Sequence, residues 1–298
     1  MLLKDFIAEG VASLRDLYPE EEAHSLVLML CAAKLGVQRY THLIEPQTEI
    51  PPGREEELSE AMERLRDAEP VQYVTGVASF CGHDFRVTRD VLIPRPETEC
   101  LVREACEAAE ALARMKTAAG RAGEPLRILD LCTGSGCIAW SLSLALPGAR
   151  VTGVDVSEAA LEVARGQAFG RELRRLGARA PEFIRQDILE ADIPFPEHSF
   201  DLVLSNPPYV LESQKAAMRR NVLDYEPALA LFVPDGDPLL FYRAVARWSR
   251  HCLSPWGRGF AEINEDLGPQ TRDVFAAEGF DRAAVRKDFF GKNRLISY

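Results

Sequence analysis

Asn206-Pro207-Pro208-Tyr209 places an amide, two prolines and an aromatic ring directly after Phe200-Asp201-Leu202-Val203-Leu204-Ser205, an apolar run that reads as a buried strand. The prolines stiffen the turn, and Pro207 restricts Asn206 to an extended conformation. Pro207 and Pro208 lack N–H groups but keep their carbonyls. The Asn206 side-chain oxygen and the Pro207 carbonyl can therefore accept two hydrogen bonds from a single planar –NH2 group, and Tyr209 can stack on that group's π system. Such a device grips an amide or an exocyclic amine. Taken alone, the same four residues also describe a proline-rich turn that ends a strand.

A second motif narrows the choice. Arg127-Ile128-Leu129-Asp130-Leu131 reads as a strand, and Cys132-Thr133-Gly134-Ser135-Gly136-Cys137-Ile138-Ala139 turns from it into a helix. Glycines there let a ligand approach the backbone, and the helix N–H groups point at it. Val151-Thr152-Gly153-Val154-Asp155 reads as the next strand and ends in a carboxylate 21 residues after Gly134, suited to the two hydroxyls of a ribose. The glycine pattern by itself fits NAD, FAD or S-adenosylmethionine. Asp187, after a third strand over 181–186, adds an acceptor for an adenine amine. Either aspartate alone is ordinary strand-end turn chemistry. Together, ahead of the Asn-Pro-Pro-Tyr turn, they describe a nucleoside site facing an amine clamp.

Asp130 to Gly136, Gly153-Val154-Asp155, Asp187 and Asn206 to Tyr209 resemble the S-adenosylmethionine-dependent methyltransferases that modify planar nitrogens. Three further segments resemble the HemK/PrmC family, the glutamine methyltransferases of peptide chain release factors. They are Pro70-Val71-Gln72-Tyr73-Val74-Thr75-Gly76, Val91-Leu92-Ile93-Pro94-Arg95-Pro96-Glu97-Thr98-Glu99 and Tyr225-Glu226-Pro227-Ala228-Leu229-Ala230-Leu231. The resemblance runs from about residue 20 to the C-terminus. The Pro-Arg-Pro-Glu-Thr-Glu segment is specific to that branch; the glycine loop is not. Three places depart from the family pattern. Ala261-Glu262-Ile263-Asn264 stands where the strand usually ends in glycine, Ile188 stands where an aromatic residue is common, and 194–198 lengthens a loop.

The resemblance implies S-adenosylmethionine as cofactor, held by Cys132, Thr133, Gly134, Ser135, Gly136, Asp155, Asp187, Ile188 and Asn206, with no metal. It implies a release factor as protein substrate, its glutamine bound by Asn206, Pro207, Pro208 and Tyr209, with Asn206, Pro207 and Tyr209 in the catalytic role. The chemistry agrees with that assignment. An amide nitrogen is a poor nucleophile because its lone pair is delocalised into the carbonyl. Acceptors at Asn206 and Pro207 can direct the lone pair and stabilise charge developing on nitrogen. Arg95 either touches the cofactor or forms an interdomain salt bridge, and Tyr225 and Glu226 shape the loop after the clamp. The alternative is methylation of an exocyclic amine on a nucleic-acid base, which uses the same clamp but calls for a basic groove. A non-methylating dinucleotide-binding oxidoreductase is a third reading, which the Asn-Pro-Pro-Tyr turn argues against.

Composition agrees with a soluble enzyme, and the expectation is a cytoplasmic monomer with no membrane or direct nucleic-acid partner. At 298 residues the chain is long enough for two domains. No apolar run approaches the roughly 18 residues that span a bilayer. The cysteines number seven, without paired C-x-x-C spacing, and read as free thiols. Net charge is −11, and residues 1–70 hold 15 Asp and Glu against 7 Lys and Arg. Such a face repels a nucleic-acid backbone and attracts a basic protein, although a solvated helical surface has the same composition.

The elements that must position these residues follow from periodicity. Leu3, Ile7, Val11 and Leu14, then Ala23, Leu26, Val27 and Leu30, fall at helical intervals, and Leu58, Met62 and Leu65 share a helical face. Residues 1–75 are expected to form a helical substrate-docking domain, 76–92 a linking hairpin, and 93–298 the methyltransferase domain. The fold class is α/β, a Rossmann-like, mainly parallel methyltransferase sheet. Strands at 260–263, 283–286 and 295–298 should close it, and the last two are too close for a helical crossover and should pair antiparallel.

Overall fold

Leu3, Ile7, Val11 and Leu14 share one face, and burying that face holds the first helix, α1 (Leu3–Ser13), against the chain. The structure, a computed structural model, describes residues 1–288 and 291–298. It divides into two units, Met1–Val77 with Met218–Tyr225, and Ala78–Ala217 with Glu226–Tyr298.

In the first unit α1 packs on α2 (Glu20–Leu35), which ends where Gly36 turns left-handed. The helices α3 (Thr41–Ile44), α4 (Glu55–Arg66) and α5 (Val71–Thr75) follow. Leu58, Ala61, Met62 and Leu65 of α4 join Ala23, Val27 and Leu30 of α2 in one apolar core. Arg64 clasps the buried Glu69 through two hydrogen bonds of 2.8 Å, a bidentate pairing that fixes the chain leading into α5.

β1 (Val77–Phe80), which begins at the last residue of the first unit, and β2 (His83–Arg86) form a two-stranded sheet. Cys81 and Gly82 connect them with φ of 49° and 74°, as a tight two-residue hairpin turn demands. The chain continues through α6 (Glu99–Ala118), β3 (Arg127–Leu131), α7 (Cys137–Ala145), β4 (Arg150–Asp155), α8 (Glu158–Arg165), α9 (Gly170–Leu176), β5 (Glu182–Arg185), β6 (Phe200–Ser205) and β7 (Val210–Leu211). It then passes through α10 (Arg220–Leu223), which belongs to the first unit. The remainder is α11 (Ala228–Leu231), β8 (Phe232–Val233), α12 (Leu240–Cys252), β9 (Leu253–Glu262), α13 (Gly268–Ala277), β10 (Ala284–Lys287) and β11 (Asn293–Ser297).

The main sheet has seven strands in the order β10-β11-β9-β6-β3-β4-β5. From β9 to β5 the pairing is parallel. β11 runs antiparallel to β9, and β10 to β11, with Val285 opposite Ile296, as their short connection requires. Side chains alternate between two cores. Ile128, Leu202 and Leu204 face one that includes α6 and α7, and Leu129, Leu131 and Val203 face one that includes α12 and α13. Covering both faces explains why β6 is buried along its whole length and is mostly apolar, with Asp201 and Ser205 as its polar members.

Two features were not legible from periodicity. The short parallel pair β7-β8 joins Val210 to Phe232. Met218–Tyr225 lies inside the range expected for the methyltransferase domain but packs with the helical unit. There Arg219 pairs with Glu22 at 2.8 Å and the Tyr225 hydroxyl donates to the Asp67 carbonyl at 2.8 Å. Among the described residues no helix is long and apolar enough to cross a membrane.

Candidate active site

The chain leaves β3 for β4 and β5 on one side and returns to β6 on the other. Ligands in such sheets bind beyond the carboxyl ends of the strands where the order reverses. A cavity lies there, lined by Cys132, Thr133, Gly134, Ser135, Asp155, Asp187, Ile188, Asn206 and Pro208, which gathers most of the residues the sequence singles out. Arg95 and Thr98 contribute to the same wall. Gly136, Pro207 and Tyr209 are not among its described lining residues.

The turn after β3 owes its shape to positive φ at Cys132 (59°) and Gly134 (54°). A Cβ built on Gly134 meets nothing within 4 Å, so the turn leaves open space beside a lining residue where a ligand can approach the backbone. Gly136 does something else. A Cβ there would stand 3.0 Å from the Ala164 Cβ and from the Phe183 ring, so this glycine permits close helix–strand packing. Beneath the turn the Thr133 hydroxyl donates to Asp130 at 2.5 Å, and burial pushes the Asp130 carboxyl up to about 7. The Ser135 carbonyl accepts from Gln167 Nε2 at 3.1 Å, and Gln167 also exchanges hydrogen bonds with the Arg86 backbone. Gln167 thus ties the glycine turn to β2. Nothing in its own segment, which also holds Arg165 and Arg171, marks it in the sequence.

Asp155 uses both oxygens. Oδ2 accepts the Gly134 N–H at 2.8 Å and Oδ1 the Ser157 N–H at 3.0 Å. Burial raises its carboxyl above the ordinary range, against the opposing pull of those N–H groups. Asp187 lies two residues past β5 and accepts the Leu189 N–H at 2.8 Å.

The clamp segment is anchored at several points. The Ser205 hydroxyl donates to the Leu131 carbonyl at 2.9 Å and so joins the ends of β6 and β3. Asn206 Nδ2 donates to the Thr98 hydroxyl at 3.2 Å, and that hydroxyl donates to Glu262 Oε2 at 2.7 Å. The Tyr209 hydroxyl donates to Glu262 Oε1 at 2.8 Å, and its carbonyl accepts from Asn264 Nδ2 at 3.2 Å. Burial raises the Glu262 carboxyl, while the bonds from Thr98 and Tyr209 and the charge of Arg294 hold it down. Sequence reasoning noticed Glu262 and Asn264 only as a departure at the end of a strand.

Arg95 forms an ion pair with Glu226 at 2.5 Å, and Glu226 also accepts the Ile93 N–H at 3.2 Å. The pair lies inside the second unit and joins two segments that border the cavity. Among the described residues no group of three or more His, Cys, Asp and Glu could hold a metal ion.

The switch-point cavity, the glycine turn and the antiparallel β10-β11 ending define a methyltransferase domain, and a family model described as a methyltransferase domain matches residues 128–224. A second model, described as the PrmC N-terminal domain, matches residues 5–76. The chain is 40% identical over 289 residues to a release factor glutamine methyltransferase of Bacteroides thetaiotaomicron, covering 96% of this chain and 95% of that protein. It is 35% identical over 296 residues to one of Flavobacterium psychrophilum, covering 99% and 98%. The chain belongs to the release factor glutamine methyltransferase family. A solved release factor-specific protein-(glutamine-N5) methyltransferase from Alicyclobacillus acidocaldarius is 29% identical, covers 72% of this chain and 97% of that chain, and aligns with a TM-score of 0.36.

Proposed function

We propose that this protein transfers a methyl group from S-adenosylmethionine to the side-chain amide nitrogen of a glutamine in a peptide chain release factor. The observation that carries the reading is a single cavity walled by Gly134, Asp155 and Asp187 on the one hand and by Asn206 and Pro208 on the other. The residues present fit the cofactor. Gly134 leaves open space at the backbone, and the Asp155 and Asp187 carboxylates, each accepting backbone N–H groups already, keep lone pairs for ribose hydroxyls and an adenine amine. When bound, S-adenosylmethionine supplies a methyl already activated on a sulfonium. Asn206 Oδ1 and the Pro207 carbonyl accept the two N–H bonds of the glutamine amide, turn its lone pair and stabilise the charge that develops on nitrogen. Tyr209, with its hydroxyl committed to Glu262, packs its ring against the amide.

The helical unit serves in this reading to dock the substrate protein. Its support is the PrmC N-terminal domain match at residues 5–76 and the excess of acidic side chains, which suits a basic partner. The test is incubation with labelled S-adenosylmethionine and purified release factors, followed by peptide mass mapping. Label on one glutamine of a release factor is the expected result. Label on nucleic acid, or none on glutamine, contradicts it.

A further inference from the structure

We infer that Glu262 and Thr98 are positioning residues for Asn206, fixing which end of its amide faces the cavity. The inference rests on the reading of Asn206 as acceptor for a glutamine amide, and deepens it.

An asparagine amide presents an acceptor at one end and donors at the other, with nearly the same shape. Only the acceptor end can hold a substrate N–H. Turned the other way, Asn206 points its own N–H bonds at the substrate and the clamp fails. Something must choose between the two orientations, and Thr98 is placed to do so. Its hydroxyl lies 2.7 Å from Glu262 Oε2 and 3.2 Å from Asn206 Nδ2. A hydroxyl has one proton, and an ionised carboxylate only accepts. Thr98 therefore gives its proton to Glu262 and turns a lone pair towards Asn206. Nδ2 meets that lone pair with a proton, whereas Oδ1 in its place sets two oxygens together with no proton between them. Oδ1 is left as the end of the amide not spoken for by Thr98, on a residue that lines the cavity.

The topology makes this possible. β9 runs parallel beside β6, with Ala261 opposite Ser205, so Glu262 and Asn206 follow each other off adjacent strand ends. Thr98 closes the 3-10 turn Pro96–Thr98 and is 2% exposed, and Glu262 is 1% exposed, so water does not compete for these bonds. The second Glu262 oxygen accepts the Tyr209 hydroxyl at 2.8 Å. One carboxylate thus orients both side chains that flank the two prolines, Asn206 through Thr98 and Tyr209 directly.

Three variants test the inference. Thr98→Val keeps the shape and deletes the hydroxyl, and Thr98→Ser keeps the hydroxyl. Glu262→Gln leaves one acceptor where there were two, so one of Thr98 and Tyr209 loses the acceptor for its proton. For Thr98→Val and Glu262→Gln we expect kcat for a glutamine peptide to fall at least about tenfold, since mispointing one preorganised group forfeits part of the roughly hundredfold that its removal costs. Calorimetric affinity for S-adenosylmethionine should stay within about twofold, and Thr98→Ser should recover most of kcat. Wild-type kcat in Thr98→Val, equal losses in Thr98→Val and Thr98→Ser, or parallel loss of cofactor binding overturns the inference. Hydrogen exchange of the Asn206 side-chain amide, followed by NMR, judges it independently of turnover. Slower exchange in the wild type than in Thr98→Val supports the positioning, and equal exchange refutes it. Failure of the wild-type protein to methylate glutamine refutes the proposed function, and the exchange result still decides for or against the anchoring of Asn206.

Discussion

The Asp155 carboxylate accepts the Gly134 backbone N–H at 2.8 Å, which binds the end of β4 to the turn after β3. Asp155 also lines the cavity, so under the proposed function the carboxylate that shapes the turn also accepts from a ribose. Asp155→Ala should weaken S-adenosylmethionine binding by about 2 kcal/mol, the usual contribution of hydrogen bonds to a charged group. Calorimetry measures this directly. An unchanged affinity removes Asp155 from the cofactor site.

Lys116 and Asp201 form a buried ion pair at 2.6 Å, with side chains 4% and 6% exposed, and Asp201 also accepts the Arg127 N–H at 2.9 Å. Removing one partner of such a pair leaves an uncompensated buried charge. Lys116→Met is expected to lower unfolding free energy by about 3–5 kcal/mol. Urea denaturation checks it, and a loss below about 1 kcal/mol, the size of an exposed pair, refutes the buried-pair account.

Asp130 is fully buried and has one oxygen without a hydrogen-bond partner among the described residues. Its carboxyl holds its proton up to about 7, well above the ordinary 3.8 of the unfolded chain. The folded state therefore binds the proton more tightly. The stability this contributes is complete below the unfolded value and is lost as pH rises through about 7. In ligand-free protein the Tm of the wild type relative to Asp130→Asn should fall between about pH 5 and pH 8. A difference that rises with pH has the wrong sign for this account.

Glu56, Glu60 and Glu63 lie along the exposed side of α4, away from Leu58, Met62 and Leu65. Reversing the three to lysine should lower kcat/KM for a whole release factor and flatten its salt dependence, because charge steering is screened within about 10 Å at 0.1 M salt. A short glutamine peptide should be turned over as before. Equal effects on peptide and protein refute docking by this surface. Charge reversal is a cleaner test than truncation, since deleting residues 1–77 strands Met218–Tyr225 without Glu22 and Asp67.

The strands and turns were legible in the sequence because their signals are local. The Phe200–Ser205 run, the glycines at 134 and 136 and the short gap between the last strands each act within a few residues. What was hidden depends on residues far apart in the chain. Thr98 meets Glu262 across 164 positions, and Lys116 meets Asp201 across 85. Neither pairing leaves a pattern in its own segment. The same holds for Met218–Tyr225, whose allegiance to the helical unit rests on contacts with Glu22 and Asp67. Gly136 shows the converse. Its place in a familiar pattern suggests ligand contact, and its neighbours Ala164 and Phe183 add a packing demand that the pattern does not reveal.

Single-turnover methyl transfer to a glutamine peptide by Asn206→Ala, with cofactor affinity measured alongside, tests the central claim most directly. Losing one preorganised hydrogen-bond partner costs about 3 kcal/mol in the transition state, so the rate should fall at least roughly a hundredfold while most S-adenosylmethionine affinity remains. Near wild-type transfer by Asn206→Ala at saturating peptide contradicts the account.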